Sequence, residues 1–472
     1  MDNITTGILE YFTNLSRIPR TSGHEQAIHS YMVNWAKENK FEVKEDETGN
    51  VCISVPATKG MEDKPGYILQ GHMDMVGQKT KESTFDFLKD PILTKIEGDY
   101  LVPAQPTTLG ADNGIALAMV QYIALNMPSH PSLELLLTVD EEMGLTGAQS
   151  IQPGFITNKL LLNLDSEEDD TITIGCAGST TARITKTYDV KKENVNTFKI
   201  AISGGVGGHS GADIHKNIAN CIKLVTHYLI SLSNADLQIA SINGGMVRNG
   251  IPTDCEAIFT CSRSLKDIEE TVSTFKDSIK EQYGDMEMNI KIKGTQTSGE
   301  YNLFTNKDTK EILNLLNTIP HGVLGMSYDV EGLVETSNNL AIVDIKDGKL
   351  DVIGMLRSSV YDRIKDTETI YTSIVELIGG NLEFSEKSVP WKPNIKSQLL
   401  QASKEAYKKL YGEDPKIGAI HAGLECGVIG DKFEGMDMIS IGPSVFGCHT
   451  PDEKLYIPSI KKVYDWVIEI VS

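Results

Sequence analysis

The sequence predicts an α/β chain: a split domain with a mostly parallel sheet flanked by helices, interrupted by an inserted α+β domain with an antiparallel sheet. Three observations predict it. Up to about residue 177, apolar strand-like runs alternate with helical segments, which implies crossover connections and a largely parallel sheet. From about 178 the strands become longer and alternate apolar with polar, as in 180–188 and 198–203, with helical spacing at 214–232, 265–283 and 307–317. Beyond Pro390-Trp-Lys-Pro393, a rigid exit, the first texture returns. The expected division is 1–177 and 395–472 for the split domain and 178–394 for the insert.

The first elements read as scaffold. Ile8, Leu9, Phe12 and Leu15 recur at helical spacing, and Ser22-Gly-His-Glu25 reads as a capping box before a second helix. Tyr67-Ile-Leu-Gln-Gly-His72-Met-Asp74 is a buried strand that turns polar at its end. His72 and Asp74, two residues apart, share one side of an extended backbone. Leu109-Gly-Ala-Asp112-Asn-Gly114 leads into a helix over 115–125 with Asp112 at its start, a position that an ordinary N-cap aspartate also explains. Leu133–Val139 ends in Asp140-Glu141-Glu142, and Leu160–Leu164 ends in Asp165. Three strands thus end in acidic or histidine residues. Chance would scatter such residues over both strand ends, so one site is the economical reading. The acidic run Glu167–Asp170 reads as a solvated turn. After the insert, a helix over 396–411, strands at 417–420 and 436–441, and a late His449 complete the chain.

Composition narrows the function. The 472 residues leave room for two or three domains of about 150. A hydrophobic content of 40% describes a folded chain with a core. The formal net charge of −21 repels nucleic-acid phosphates and anionic membrane, so neither is expected as a partner, whereas metal cations are not repelled. Seven scattered cysteines without a C-x-x-C argue against a disulfide framework or a thiolate zinc site, and fit a reducing compartment. The start Met-Asp-Asn carries no signal-peptide pattern and no apolar run reaches membrane-spanning length, so a cytoplasmic location is expected.

His72, Asp112, Glu142, Asp165 and His449 are all imidazole or carboxylate. Such a set suits Zn²⁺, Mn²⁺ or Co²⁺ in a hydrolytic site, zinc first. Five groups exceed the three protein ligands of a mononuclear catalytic zinc. Two divalent metals with one bridging carboxylate fit the count, and Asp112, on a short side chain at a helix start, is the best bridge.

Gly71-His72-Met-Asp74, Gly110-Ala-Asp112-Asn-Gly114, Asp140-Glu141-Glu142-Met-Gly144, Asn163-Leu-Asp165, Gly207-Gly-His209-Ser-Gly211 and His449 resemble the dinuclear-metal M20 peptidases. Within them, His209-Ser-Gly-Ala-Asp-Ile-His215 and His421-Ala-Gly-Leu-Glu425-Cys-Gly427 resemble the bacterial aminoacyl-histidine, carnosinase-like dipeptidases. The resemblance spans essentially the whole chain. It implies that His72 and Asp165 bind one metal, Glu142 and His449 the other, with Asp112 bridging. It further implies that Asp74 orients His72 and that Glu141 is the general acid/base. The insert would then be a lid.

Lid residues carry competing readings. His209, in a glycine-rich turn, is either an exposed loop histidine or an oxyanion donor. Arg357 is either half of a surface salt bridge or a fork that holds a substrate carboxylate. Asn249 and Asn339 are substrate candidates that turn formation also explains, and Glu425 is a candidate for the substrate's amino end. His215 and His421 are substrate-side or structural. A weak repeat pairs Asn249…Arg263-Ser with Asn338…Arg357-Ser, and a doubled lid could place His209 over its own chain's site. Dimerisation through the lid stays open. The leading expectation is a metallodipeptidase acting on small peptides, of Xaa-His type with broad tolerance at the N-terminal residue. A tripeptidase, an N-acyl amino acid deacylase and a non-catalytic metal binder are the alternatives.

Overall fold

The computed structural model describes residues 1–232 and 236–472. The chain opens with α1 (Asn3–Ser16) and α2 (Gln26–Glu38). Asp2 caps α1 by accepting the N–H groups of Ile4 and Thr5, and Ile8, Leu9, Phe12 and Leu15 form its buried stripe. The capping box expected at α2 is absent. Ser22 donates instead to Asp74, and Glu25 accepts from the N–H groups of Gly23 and Asp140, so both side chains serve the acidic cluster rather than the helix end.

There follow β1 (Glu42–Glu45), β2 (Val51–Val55), β3 (Tyr67–His72), β4 (Thr94–Glu97), β5 (Tyr100–Pro103), α3 (Ala111–Asn126) and β6 (Leu133–Thr138). The short helical segments α4 (Glu141–Gly144) and α5 (Thr146–Ser150) precede β7 (Leu160–Asn163) and β8 (Thr171–Cys176). Next come β9 (Gly178–Thr187), β10 (Val190–Ser203), α6 (Cys221–Ser231), β11 (Gln238–Gly244), β12 (Cys255–Thr260), α7 (Leu265–Tyr283) and β13 (Lys291–Phe304). After these lie α8 (Asn306–Thr318), β14 (Gly322–Met326), β15 (Val334–Lys346), β16 (Lys349–Ser358), α9 (Tyr361–Ile378) and β17 (Asn381–Ser388). The chain closes with α10 (Gln398–Tyr411), β18 (Lys416–Ile420), α11 (Glu425–Lys432), β19 (Asp437–Ser440), β20 (Val445–Phe446), β21 (Lys454–Tyr456) and α12 (Ile457–Val471). The helix expected over 214–232 begins only at Cys221, where the Asn220 side chain caps it by accepting from Ile222 and Lys223.

The residues fall into two units. The first holds Met1–Cys176, Trp391–Ala419 and Leu424–Ser472; the second holds Ala177–Pro390 and Ile420–Gly423. Ala177 and Ile420–Gly423, expected in the split domain, thus pack with the insert, and residues 391–394, expected in the insert, pack with the first unit. The Ala177 N–H donates to the carbonyls of Ile420 and Ala422, and His421 shares a 2.7 Å hydrogen bond with Ser337, which ties that segment down.

In the first unit an eight-stranded sheet runs β1-β2-β6-β3-β7-β19-β8-β18. The expectation of a mostly parallel sheet is corrected to a mixed one. Its centre, β6-β3-β7-β19, is parallel, while β1·β2, β2·β6 and β19·β8 are antiparallel. The central strands β3 and β6 are buried almost throughout, as strands covered on both faces must be.

The second unit is one nine-stranded antiparallel sheet, β13-β10-β12-β11-β15-β16-β9-β17, with β14 on β15. Alternating Phe198, Ile200 and Ile202 on β10 share a core with Tyr228 of α6, Leu316 of α8 and Tyr371 of α9, so one sheet face carries the helices. The sheet is doubled. β10-α6-β11-β12-α7-β13 and β9-α8-β15-β16-α9-β17 each form a β-α-β-β-α-β unit with strand order 4-1-3-2, the first inserted between β9 and α8 of the second. Arg263 and Arg357 follow or end the third strand of each half. Asn249, however, lies in the loop after β11, whereas Asn338 and Asn339 lie within β15, so the asparagines of the sequence repeat do not correspond.

Candidate metal centre

Parallel β3, β6 and β7 deliver their carboxyl ends to one edge of the sheet, the edge where α/β sheets bind ligands. His72 is the last residue of β3 and 1% exposed. Before it, a Cβ on Gly71 would meet Asn113 Oδ1 at 2.4 Å, so this position must be glycine. The space lets the Asn113 carboxamide accept the His72 N–H at 3.2 Å and donate to the Leu164 carbonyl at 3.0 Å. It thereby ties the ends of β3 and β7 to α3.

The loop into α3 is pinned by two buried side chains that have no motif in the sequence. Glu453 accepts the N–H groups of Leu109, Gly110, Ala111 and Asp112 at 2.7–3.3 Å. Arg20 donates to the carbonyls of Met73, Asp74 and Gly110. Gly110 takes the left-handed conformation at φ 72°, as a glycine can, and the Asp112–Asn113 peptide is cis.

Asp112 is the centre of the cluster. Its Oδ1 lies 3.1 Å from His72 Nε2, and its Oδ2 lies 3.1 Å from His449 Nε2. On one side, Asp165 Oδ1 lies 3.3 Å from His72 Nε2; on the other, Glu142 Oε1 lies 2.9 Å from His449 Nε2. Donor atoms of His72, Asp112 and Asp165 lie within 4.8 Å of one another, as do those of Asp112, Glu142 and His449. Asp74 faces the other ring nitrogen of His72 at 3.3 Å. It also accepts the N–H groups of Glu141 and Glu142 and the Ser22 hydroxyl, so one aspartate orients the imidazole and sets α4.

The electrostatics are those of a cluster short of positive charge. Burial pushes the Asp165 carboxyl up to about 6 despite His72, with Asp112 and Glu142 adding repulsion. Burial likewise drives Glu141 well above the usual carboxylate range, His72 opposing and Asp165, Glu425 and Glu142 adding to it. Hydrogen bonds to Asp112 and Glu142 raise His449 to about 11. His72, though penalised by burial, is held well above its ordinary value by Asp165, Asp112 and Asp74. Among the described residues Asp165 Oδ1 is buried with no partner beyond its 3.3 Å approach to His72 Nε2. Crowded carboxylates, two imidazoles and an unsatisfied buried oxygen form a donor set that fits cations on both sides of Asp112.

The other predicted residues distribute as follows. His209, Asn249, Asn339, Arg357, His215 and His421 lie in the second unit. His209 Nδ1 accepts the N–H groups of Gly211 and Ala212 at 3.2 and 3.1 Å, which places the ring proton on Nε2. Burial and the Arg357 charge lower its pKa, so it stays neutral. Arg357 is 5% exposed rather than at the surface, which removes the salt-bridge reading. Among the described residues its hydrogen bonds reach Ser210 Oγ at 3.4 Å and Met355 Sδ at 3.6 Å. Asn339 is buried, donates to the carbonyls of Arg248 and Gly250, and leaves Oδ1 unpartnered. Asn249 is exposed and its carbonyl accepts the Ser210 N–H. Glu425 lies in the first unit, fully buried under the sheet edge, which removes it from direct contact with a substrate's amino end. Glu167 comes within ligand distance of Asp112 and Cys448, although its run is otherwise a surface turn.

Residues 68–472 match the profile of peptidase family M20/M25/M40. The chain belongs to this family. It is 35% identical over 469 residues to the cytosol non-specific dipeptidase of Escherichia coli (strain K12), covering 98% of this chain and 96% of the relative. The crystal structure of aminoacylhistidine dipeptidase from Vibrio alginolyticus superposes with a TM-score of 0.90 at 34% identity, covering 100% of this chain and 98% of that one. Aminopeptidase PepT from Bacillus cereus ATCC 10987, at 16% identity and TM-score 0.57 over 99% and 98% of the two chains, shares the fold. The chain is thus an M20 peptidase, a hydrolase with a mixed α/β fold. Among the described residues no helix is long and apolar enough to cross a membrane.

Proposed function

We propose that this protein is a cytoplasmic dipeptidase that holds two divalent cations, zinc foremost, with Asp112 between them. The observation that carries the reading is the pair of 3.1 Å approaches from the two Asp112 oxygens to His72 and His449. His72 and Asp165 would hold one cation and Glu142 and His449 the other. When bound, such a pair polarises a peptide carbonyl and makes a nearby water acidic.

The chain's own residues supply the rest. Asp74 fixes the His72 ring through one nitrogen, leaving the other for the ligand role. Glu141, half-buried and close to His72 and Glu142 but assigned no cation, takes the proton of the attacking water and returns it to the leaving amine. His209, neutral with its proton on Nε2, is a donor for the oxyanion. Arg357, a buried guanidinium without an anionic partner among the described residues, takes the peptide's C-terminal carboxylate, with Asn339 beside the loop that carries Arg248 and Gly250.

Substrate breadth follows the two similar relatives, named as a non-specific dipeptidase and an aminoacylhistidine dipeptidase. We read this chain as acting on Xaa-His dipeptides with broad tolerance at the first residue. The test is a rate panel of Xaa-His dipeptides, other dipeptides, tripeptides and acyl amino acids on metal-loaded enzyme. Dipeptides should be cleaved fastest. Preferential cleavage of tripeptides or acyl amino acids would overturn the assignment.

A further inference from the structure

None of these steps uses Glu425, the first residue of α11 and 0% exposed. A carboxylate in such a place is costly unless it is hydrogen-bonded. Its Oε2 accepts from Thr138 Oγ1 at 2.8 Å and from Gln70 Nε2, while Oε1 has no hydrogen-bond partner among the described residues. The bonds continue sideways. Gln70 Oε1 accepts from Asn163 Nδ2, and Asn163 Oδ1 accepts from Ser440 Oγ and, at 3.3 Å, from the Asp165 N–H.

These side chains form one buried row across the sheet. Gln70 on β3 stands opposite Asn163 on β7, which stands opposite Ser440 on β19. Gln70 lies two residues before His72, and Asn163 two before Asp165, so the row runs one step beneath the candidate ligands on the same strands. Every donor in it points toward Glu425: Ser440 to Asn163, Asn163 to Gln70, Gln70 to Glu425. A carboxylate accepts and an amide both donates and accepts. An acceptor at Glu425 therefore turns the Gln70 NH₂ toward α11 and its oxygen toward Asn163. That in turn leaves the Asn163 oxygen facing the Asp165 N–H. Burial pushes the Glu425 carboxyl up to about 7 against the pull of His72, so electrostatically it also feels the site.

We propose that Glu425 is a positioning residue for the cation cradle: its acceptor oxygen sets the direction of the Gln70–Asn163–Ser440 row, and the row holds the main chain of Asp165 in place. This rests on reading the strand-end cluster as a two-cation site. Glu425→Leu removes the acceptor and lets both amides turn. Glu425→Gln removes the charge but can still present an oxygen to Gln70 and Thr138. Calorimetric titration of metal-free protein with Zn²⁺ separates the cases, with the thermal midpoint of each metal-free variant measured alongside.

Glu425→Leu should weaken one of two cation sites by about 10–100-fold, the usual cost of losing a residue that supports a ligand. Glu425→Gln should recover most of that affinity. If Glu425→Leu does not fold, Gln70→Met cuts the same row and should weaken the same site. Two sites of unchanged affinity in the folded Leu or Met variant would overturn the proposal. So would a Gln variant as weak as Leu, which would make charge rather than hydrogen-bond direction decisive. A KM increase with unaltered cation affinity would return Glu425 to direct substrate contact and also overturn it. Failure of the wild-type protein to bind two cations is a different result, and it would sink the two-cation reading itself.

Discussion

The two units each carry a polar cluster, and the clusters are incomplete in opposite senses. In the first, Asp74, Asp112, Glu141, Glu142 and Asp165 crowd around two imidazoles, so the missing component is positive. In the second, Arg357 sits with His209 and His421 without a carboxylate partner among the described residues, and burial together with Arg357 pushes His421 down to about 3. There the missing component is an anion. The lesson concerns what burial demands. A buried charge left unpaired by its own chain costs several kcal/mol, so a stable protein that keeps such groups keeps them for a ligand. On the proposed function, cations would complete the first cluster and the carboxylate of a peptide the second.

The sharpest way to break this contrast is Asp112→Ala. With both sides of the cluster losing an oxygen, cation content by elemental analysis should fall toward zero and turnover to background. Retention of two cations would deny Asp112 its central place. Next in size is Glu141→Ala, which removes no ligand. Cation content should stay at the wild-type level while kcat drops by about 10²–10⁴-fold, as for a lost general acid/base. Loss of a cation here, with Glu142→Ala keeping both, would exchange the roles of the two neighbours.

The second cluster is tested by Arg357→Ala on dipeptides with a free or an amidated C-terminus. Losing one side of a buried charge pair costs about 2–5 kcal/mol, hence kcat/KM on the free acid should fall roughly 30-fold or more. The amide should be affected far less. Equal losses on both substrates would remove the carboxylate role.

A gentler probe is pH. His449 is raised to about 11 by Asp112 and Glu142, so in the metal-free protein it carries a proton throughout the neutral range. A ligand imidazole must give that proton up. Cation affinity should therefore rise with pH between 6 and 8, by about tenfold per pH unit for each proton displaced. Flat affinity across that window would mean that His449 is no ligand.

Much of the first cluster is legible in the sequence because an apolar run that ends abruptly in a polar or charged residue marks both a strand and the end of it that carries the site. His72, Glu142 and Asp165 are of this kind. Strand direction is not written in periodicity, which is why the antiparallel β1, β2 and β8 escape a sequence reading. Glu453 and Arg20 escape too, since each acts on main-chain groups far away in sequence and belongs to no local pattern. The polar row leaves a trace: Gln70 interrupts the apolar β3, and Asn163 and Ser440 close β7 and β19, all three buried, and a buried polar side chain needs a partner. Arg357 lies one residue before the end of β16, and its burial depends on packing within a doubled sheet whose pairing only the structure supplies.

The most direct measurement is anomalous diffraction at the zinc edge from crystals of the zinc-loaded protein. Two peaks are predicted, one among His72, Asp165 and Asp112, the other among Glu142, His449 and Asp112, with one Asp112 oxygen on each. A single peak, or two peaks that Asp112 does not join, would contradict the bridge.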